Sequence, residues 1–304
     1  MNVLEQLPER SRAAIVRLRS LGDCVLTTPA LSLLKRARPD LEIGVVVEER
    51  FAAVFEDQQN ISAILAPTWR AVRRWGPTLS VNLHGGTRSQ WITALSGAKW
   101  RAGFAHHSTT LAYNVKIPRA QHILGVNRSV HTAEHLASAF FALGVPIADV
   151  PRAELSASDS PIEGRYAVFH PFASAPEKQW PPERFCEVAR YLELWNVRPV
   201  FLIPPKADAS SFRPHQVFQG TLAQAKAVLS KAAVFIGNDS GPAHVAAAFG
   251  IPSVVLFSTS NHAIWGPWRT ESEIIVASDG LPQVSVSRVI AAIERLRTFE
   301  EAHA

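Results

Sequence analysis

The chain has little cysteine and no long apolar run, and each of these absences excludes a class of protein. Its two cysteines, Cys24 and Cys186, are too few for a disulfide framework or a cysteine-rich metal site, so we expect buried thiols in a reducing compartment. No window reaches the ~18–20 consecutive apolar residues of a transmembrane helix. The N-terminus, MNVLEQLPERSR, carries acids and lacks the apolar core of a secretory signal. These absences predict a cytoplasmic protein.

Motifs of several cofactor and nucleic-acid classes are missing as well. No G-x-G-x-x-G fingerprint is present, so a nicotinamide or flavin dehydrogenase is not supported. No metal-ligand spacing is evident, and no RNA- or DNA-binding module pattern occurs. The net charge of +5 and the isoelectric point near 9.5 favour anionic partners. Nucleotide phosphates and an acidic membrane surface are therefore better candidates than nucleic acid.

The 304 residues are 47% hydrophobic and 19% charged, which is typical of a soluble globular protein with room for two domains. In both halves, short apolar runs alternate with helical patterns, which predicts an α/β fold with parallel sheets and crossover helices. Residues 144–164 are rich in proline, serine and acids and have little periodicity. We place a domain boundary there, between residues 1–150 and residues 151–304. Two Rossmann-like domains facing a central cleft are expected.

The predicted elements can be given by residue number. The strands are residues 13–18, 42–47, 61–65, 79–83, 166–170, 198–203, 233–236, 253–257 and 274–276. The main helices are residues 27–37, 130–143, 183–194, 221–231, 240–249 and 286–299. Pro29 is expected in the first turn of its helix, where proline is tolerated, and Thr221 is expected as an N-cap.

Two glycine turns after predicted strands are candidate anion sites. The turn GNDSG precedes a helix at Ser240, so Asp239 or Ser240 caps this helix, or the turn binds a phosphate or sugar. His244 shares a helix face with Ser240, and a histidine at such a place is more often structural than a ligand. The turn HGGTRS offers Arg88 to an anion, or is a surface loop with a salt-bridged arginine.

An aromatic and basic cluster, WRAVRRW at residues 69–75, also has two interpretations. It fits peripheral contact with an anionic membrane. It also fits a solvated helix face with two half-buried tryptophans, which the pattern favours.

Three blocks of the sequence, in chain order, resemble motifs of one enzyme family. The first reads RSLGD from Arg19 and continues with TTPAL from Thr27. The second reads HPFASAPEKQWPPERF from His170, and the third reads GNDSGPAHVAAAFGIPSVVLFSTSNHAIWGPW from Gly237. They resemble the S-x-G-D…T-x-P-A-L, H-P-G-A-S…K-x-W-P-x-E-x-F and G-x-D-S/T-G-x-x-H-L-A-A-A motifs of the bacterial heptosyltransferases, glycosyltransferase family 9.

The resemblance implies a GT-B fold, in which the N-terminal domain binds the acceptor and the C-terminal domain binds a nucleotide-sugar. The final helix of such proteins often packs back on the first domain. The implied activity is inverting transfer of heptose from ADP-heptose to an acidic, phosphorylated glycolipid of the lipopolysaccharide inner core. No metal or other cofactor is implied, and the place of action is the cytoplasm or the inner face of the inner membrane.

The resemblance also implies roles for individual residues. Asp23 matches the general base that takes the proton of the acceptor hydroxyl, although a helix-capping aspartate is the alternative. Lys178 matches the lysine that neutralises the donor diphosphate, and Asp239 the carboxylate that holds sugar hydroxyls. The remaining candidates are Ser174, Ser240, Gly241 and His244 on the donor side, and Arg17 and Gly22 on the acceptor and phosphate side. Arg88, from the glycine turn HGGTRS, is added to the acceptor and phosphate side on the pattern of that turn alone.

The sequence departs from the family pattern in three places. Phe172 and Ser258 stand where the family has glycine, and Asn261 and His262 replace an acidic residue and a proline. Residues 203–219 are shortened where the family has a helix that supplies a carboxylate to the ribose, and only Asp208 offers one. Two alternatives therefore stay open: a GT-B transferase with another sugar nucleotide, and a non-catalytic nucleotide-sugar-binding homologue.

Overall fold

The computed structural model describes residues 2–106 and 111–296, which form two compact units that divide between Ser156 and Ala157. Each unit contains a six-stranded parallel sheet with helices packed against it. The predicted α/β class with two parallel sheets is therefore confirmed. None of the helices in the described part of the chain has the length and apolar character that a membrane crossing requires.

The first unit has the strand order β3-β2-β1-β4-β5-β6. Its strands are β1 (Arg12–Val16), β2 (Glu42–Val46), β3 (Ala63–Leu65), β4 (Leu79–Asn82), β5 (Trp100–Phe104) and β6 (Val115–Ile117). Its helices are α1 (Leu21–Ala37), α2 (Trp69–Trp75), α3 (Thr87–Ala94), α4 (Ala120–Leu124) and α5 (Thr132–Leu143). The strand order reverses between β1 and β4, where Val16 pairs with Asn82. Such a switch point is where open α/β sheets bind ligands.

The second unit repeats this topology with the order β12-β11-β10-β7-β8-β9. Its strands are β7 (Tyr166–His170), β8 (Arg198–Leu202), β9 (Gln216–Phe218), β10 (Val234–Asn238), β11 (Ser253–Phe257) and β12 (Ser272–Val276). Its helices are α6 (Pro182–Glu193), α7 (Leu222–Ser230), α8 (Gly241–Ala248), α9 (His262–Trp265) and α10 (Val286–Arg295). Counted from its own first strand, the order is the same as in the first unit, and the switch point lies between β7 and β10.

Buried side chains on both faces of each sheet explain why the central strands are near-continuous apolar runs. In the second unit, Trp180 is fully buried and its Nε1–H donates to the Val284 carbonyl at 3.0 Å. Both cysteines are buried and free, as expected, and burial raises the pKa of the Cys24 thiol to about 12. Thr221 caps α7 as predicted, because its side chain accepts a hydrogen bond from the Gln224 N–H.

Three strands are missing from the prediction. Strands β6 and β9 have three residues each, which is too short for a period to show. Strand β5 is interrupted by an arginine and a glycine. The described part of the last helix, α10, packs against α6, β11 and β12 of its own unit. The predicted end of that helix, at residue 299, lies outside the described residues.

The start of α1 also differs from the prediction. The helix begins at Leu21, six residues before the expected start at 27, so Gly22 and Asp23 are helical and Pro29 lies in the interior. A proline there has no N–H for the Val25 carbonyl. The Thr28 hydroxyl replaces that donor, because its Oγ1 donates to the Val25 carbonyl at 2.9 Å. The helix therefore continues through the proline.

Replacing Thr28 by Val should lower the free energy of unfolding by about 1–3 kcal/mol. The Val25 carbonyl would lose its donor. The Glu154 N–H, which donates to the Thr28 Oγ1 at 3.3 Å, would lose its acceptor. Thr93→Val is the matched control, since the Thr93 hydroxyl also donates to a carbonyl of its own helix, that of Ser89, and this helix has no proline. Urea denaturation of both variants measures the difference, and equal losses would contradict this role of Thr28.

Candidate active site

The predicted site residues lie at the two switch points. In the first unit, Arg17, Gly22 and Asp23 follow β1, and Arg88 follows β4. In the second unit, Ser174 and Lys178 follow β7, and Asp239, Ser240, Gly241 and His244 follow β10. Loops after strands on either side of a switch point lie at the same edge of the sheet. The candidates of each unit are thus at one edge of its sheet, next to helix N-termini.

Asp23 is the third residue of α1, and its two carboxylate oxygens have different partners. Oδ2 accepts from the Ser20 N–H at 3.2 Å and from the Ser20 hydroxyl at 3.0 Å, which forms a capping box. Oδ1 lies 3.4 Å from Nη1 of Arg17. The capping interpretation of Asp23 is therefore correct for one oxygen. The other oxygen points to a cation, and the two roles do not exclude each other.

Arg17 is an arginine held inside the protein, with a side chain only 7% exposed. Burial lowers its pKa, and the nearby Asp23 carboxylate opposes this shift. Its Nε has no hydrogen-bond partner among the described residues. A buried cation with an unused donor beside a carboxylate suits an anionic or hydroxyl-bearing ligand. Gly22 is buried in the first turn of α1, next to Asp23.

His84 was not singled out by the sequence prediction, although the glycine turn that follows it was. It follows β4, and its pKa is lowered by burial, then by the charges of Arg17 and Arg19, while Asp23 opposes the shift. The lowered pKa favours the neutral imidazole. Its Nδ1 is buried and has no hydrogen-bond partner within the described residues. This nitrogen is a further polar atom at the edge that carries Asp23.

Two buried asparagines shape the loops at the switch points, and the prediction missed both. Asn82 ends β4, and its Oδ1 accepts from the N–H groups of His84 and Gly85 at 2.9 and 3.0 Å. Asn238 ends β10, which is the equivalent strand of the second unit. Its Nδ2 donates to the Pro171 carbonyl at 2.7 Å, and its Oδ1 accepts from the Trp180 N–H at 3.1 Å. An asparagine inside an apolar strand was the available signal.

Arg88 lies in the first turn of α3 and is exposed. Its Nη1 is 3.5 Å from the Glu48 carboxylate, and its Nη2 donates to the Pro67 carbonyl at 3.1 Å. The ion pair matches the salt-bridged surface arginine, one of the two interpretations of the turn, although Arg88 lies in the helix and not in a loop. Its role in binding an anion stays a prediction.

In the second unit, Lys178 reaches across the switch point to the loop after β11. Its Nζ donates to the Ser260 hydroxyl at 2.8 Å. Ser174, in the same loop after β7, is exposed. Ser260 was not predicted as a site residue, because 82 positions separate it from Lys178. The contact places one cation at the carboxyl edge of this sheet.

Asp239, Ser240, Gly241 and His244 form the start of α8. The Asp239 backbone N–H donates to the Leu256 carbonyl at 2.9 Å, while its carboxylate has no partner in the part of the chain that the structure describes. Ser240 is the N-cap residue by backbone conformation, but its side chain makes no capping bond. Its hydroxyl is buried without a partner among the described residues. His244 is buried in the first turns of the helix.

Two of the departures from the family pattern pack against each other. Phe172 contacts the ring of Phe212, with centroids 6.3 Å apart, and Phe212 stacks on Phe201 at 4.8 Å. The shortened segment, residues 203–219, thus carries an aromatic side chain that packs against Phe172, where the family has glycine. The carboxylate of Asp208 accepts from the N–H and the hydroxyl of Ser210. Asn261 caps α9 by accepting from the Ala263 N–H at 2.9 Å.

His170, at the end of β7, gives the protein a predicted pH dependence. Its Nδ1–H donates to the Leu202 carbonyl at 2.8 Å, and burial lowers its pKa to about 4. Between about pH 4 and 6.5 the unfolded chain binds more protons at this group than the folded protein does. The stabilisation is therefore complete above pH 6.5 and is lost as the pH falls to 4.

We expect the wild type to lose about 3 kcal/mol more unfolding free energy than His170→Gln over this interval, at 1.36 kcal/mol per pKa unit. The glutamine amide keeps a donor near Leu202 but cannot titrate. Urea denaturation at several pH values measures both profiles. Parallel profiles would contradict the role of His170.

The sequence profile described as "Glycosyltransferase family 9 (heptosyltransferase)" matches residues 66–289. This range covers most of the chain. The chain belongs to glycosyltransferase family 9. It is a glycosyltransferase by family, and the resemblance found in its motifs is confirmed.

Individual relatives agree with this family. "Lipopolysaccharide heptosyltransferase 3" of Escherichia coli is 24% identical over 83% of this chain and 84% of its own length. The glycosyl transferase family 9 structure from Veillonella parvula has a TM-score of 0.82 at 22% identity and covers 97% of this chain and 98% of its own. E. coli heptosyltransferase WaaC with ADP-2-deoxy-2-fluoro heptose has a TM-score of 0.73 at 20% identity, covering 93% and 99%. These structures confirm the GT-B fold of the family 9 chain.

Within residues 2–106 and 111–296, no three His, Cys, Asp or Glu side chains cluster as a metal site requires. That the family 9 chain works without a metal stays a prediction.

Proposed function

We propose that this family 9 enzyme transfers heptose from ADP-heptose to a phosphorylated glycolipid of the lipopolysaccharide core, with inversion and without a metal. The observation that carries the proposal is Asp23, whose carboxylate is fixed by Ser20 and faces the buried Arg17 at a switch point. The names of the relatives support the acceptor class, and the sugar nucleotide in the WaaC structure supports the donor class.

In the proposed reaction, the acceptor hydroxyl oxygen attacks the anomeric carbon of the donor. The bond from that carbon to the diphosphate oxygen breaks, and the hydroxyl proton moves to the Asp23 carboxylate. Arg17 holds the carboxylate in place and attracts an acidic acceptor group. Arg17 Nε and His84 Nδ1, which have no partner among the described residues, are assigned to contacts with oxygen atoms of the glycolipid acceptor.

The donor is assigned to the second unit. Lys178, oriented by Ser260, faces the charge that develops on the leaving diphosphate. The N-terminus of α8 adds backbone N–H groups and a positive dipole end. The Asp239 carboxylate and the Ser240 hydroxyl are then free to bind sugar hydroxyls. Ser174, Gly241 and His244 complete this turn.

A donor with a different nucleoside or sugar is the second candidate. It is favoured by the packing of Phe172 on Phe212, because these rings lie in the two segments where the sequence departs from the family pattern. The third candidate is a binding protein without catalysis, which has no need of a base at residue 23. Release of ADP and a thermal shift together test these candidates.

The test is release of ADP from ADP-heptose, with and without a Kdo–lipid A acceptor. Acceptor-dependent release of ADP supports the proposal. A thermal shift with ADP-heptose but no release would favour the non-catalytic homologue or another acceptor. Neither release nor a shift would mean that the donor is a different sugar nucleotide.

A further inference from the structure

One long segment of the chain contains no acidic residue. Residues 58–133 hold seven arginines and two lysines but no aspartate or glutamate, and so carry a formal charge of +9. The net charge of the whole chain is +5, so the remaining residues together carry −4. The positive charge is thus concentrated in this segment of the first unit. Such an imbalance favours a large anionic partner.

The same segment forms an apolar groove on the surface of α3. The groove has a volume of about 400 Å³ and is lined by Thr87, Gln90, Trp91, Ala94, Leu111 and Ala112. The residues from α3 repeat at the spacing of one helix face. Trp91 is 62% exposed and Leu111 is 95% exposed. Large apolar side chains this exposed mark an interaction site when they are grouped.

One basic side chain, Arg101, contacts the lining of this groove, and other basic side chains lie in the same segment. The Nε of Arg101 donates to the carbonyl of Ala112, one of the lining residues, at 3.2 Å. The side chain of Arg73 packs next to Gly97, just beyond the end of α3: a Cβ built on this glycine would lie 3.7 Å from the Arg73 Cγ. Lys99 lies over the ring of Trp100 at 5.3 Å. Arg88 is on α3 itself, where it contacts Glu48.

We propose that this face of the first unit docks on an anionic lipid bilayer. Trp91 and Leu111 insert at the boundary between headgroups and acyl chains, where tryptophan is favoured. The arginines and lysines of the segment contact lipid phosphates. An apolar groove within a strongly basic segment matches a bilayer surface better than a free phosphate, which has no apolar part.

The position of the groove links this surface to the candidate active site. Gln90, in the groove lining, donates through Nε2 to the Gly85 carbonyl at 3.1 Å, in the turn that follows β4. That turn is at the edge of the sheet that carries Asp23. Docking here would bring a lipid-anchored sugar to this edge. This reason for docking rests on the proposed function, in which the acceptor is a glycolipid. Binding to lipid itself does not depend on that proposal.

The test measures flotation of the full chain with two kinds of vesicle. One is phosphatidylethanolamine mixed with phosphatidylglycerol, and the other is phosphatidylcholine alone. We expect binding to the anionic vesicles that is about tenfold stronger and falls as salt is added. The double variant Trp91→Ser/Leu111→Ser should lose about tenfold in this binding.

The matched control is Leu194→Ser/Trp195→Ser, which removes the same residue types from an exposed place in the second unit, where they are 81% and 48% exposed. This control should bind vesicles as the wild type does, and thermal unfolding checks that both variants fold. Equal vesicle binding by wild type and the Trp91/Leu111 variant would overturn the proposal. Weak or charge-independent binding by the wild type would overturn it too.

An acceptor without acyl chains separates this inference from the proposed function. The Trp91→Ser/Leu111→Ser variant should transfer to such an acceptor at the wild-type rate, but transfer more slowly to an acceptor in vesicles. If no protein transfers sugar while the vesicle results hold, the proposed function fails and the docking surface stands.

Discussion

Asp23→Asn is expected to reduce acceptor-dependent turnover by about 10²–10⁴-fold, the usual contribution of a positioned general base. The amide cannot take the proton of the attacking hydroxyl. Its oxygen can still accept from the Ser20 N–H, so the start of α1 is retained. Binding of the donor should change little, because the donor is assigned to the second unit. Release of ADP measures turnover, and calorimetric titration with ADP measures binding.

Ser20→Ala is the control that separates catalysis from helix capping. It removes the hydroxyl that donates to Asp23 but keeps the carboxylate. Its cost should be about 0.5–2 kcal/mol of stability with most of the turnover retained. Asp23→Asn also removes the anion beside the buried Arg17 and should therefore lower the melting temperature. A folded Asp23→Asn enzyme with near wild-type turnover would end the assignment of the base.

Lys178→Gln is expected to lower kcat/KM by about 10²–10³-fold, as loss of one group that stabilises transition-state charge does in other enzymes. The variant leaves the leaving diphosphate without the cation that Ser260 orients. Affinity for ADP should fall, while affinity for adenosine should not, because only ADP carries the diphosphate. Titrations with both ligands measure this difference.

Lys231→Gln is the matched control, since Lys231 is an exposed lysine of the same unit, next to α7. It should have wild-type kinetics. Ser260→Ala should give a smaller loss than Lys178→Gln, because it removes the orienting contact but not the charge. Equal losses of ADP and adenosine affinity in Lys178→Gln would contradict a role at the diphosphate.

The sequence by itself determined the class of the fold, most of its central strands and the family. Apolar runs such as 253–257 are local patterns that a buried parallel strand requires, and turns such as GNDSG directly follow them. The three motif blocks identified the family, because they lie at the ends of strands and the fold fixes the spacing between those strands. Local patterns also explain the misses, since β6 and β9 are too short to show a period and Pro29 hid the start of α1.

Only the tertiary structure decided which of these groups meet. Lys178 follows β7 and Ser260 follows β11, and the sheet places these strands on either side of β10, so that the two loops meet at one edge. A linear pattern does not contain this strand order. The same holds for Asn238, which binds both ends of the loop between β7 and α6, and for Phe172, whose partner Phe212 lies in the shortened segment. The physical reason is that strand order and burial set long-range contacts. Propensity and periodicity act over a few residues only.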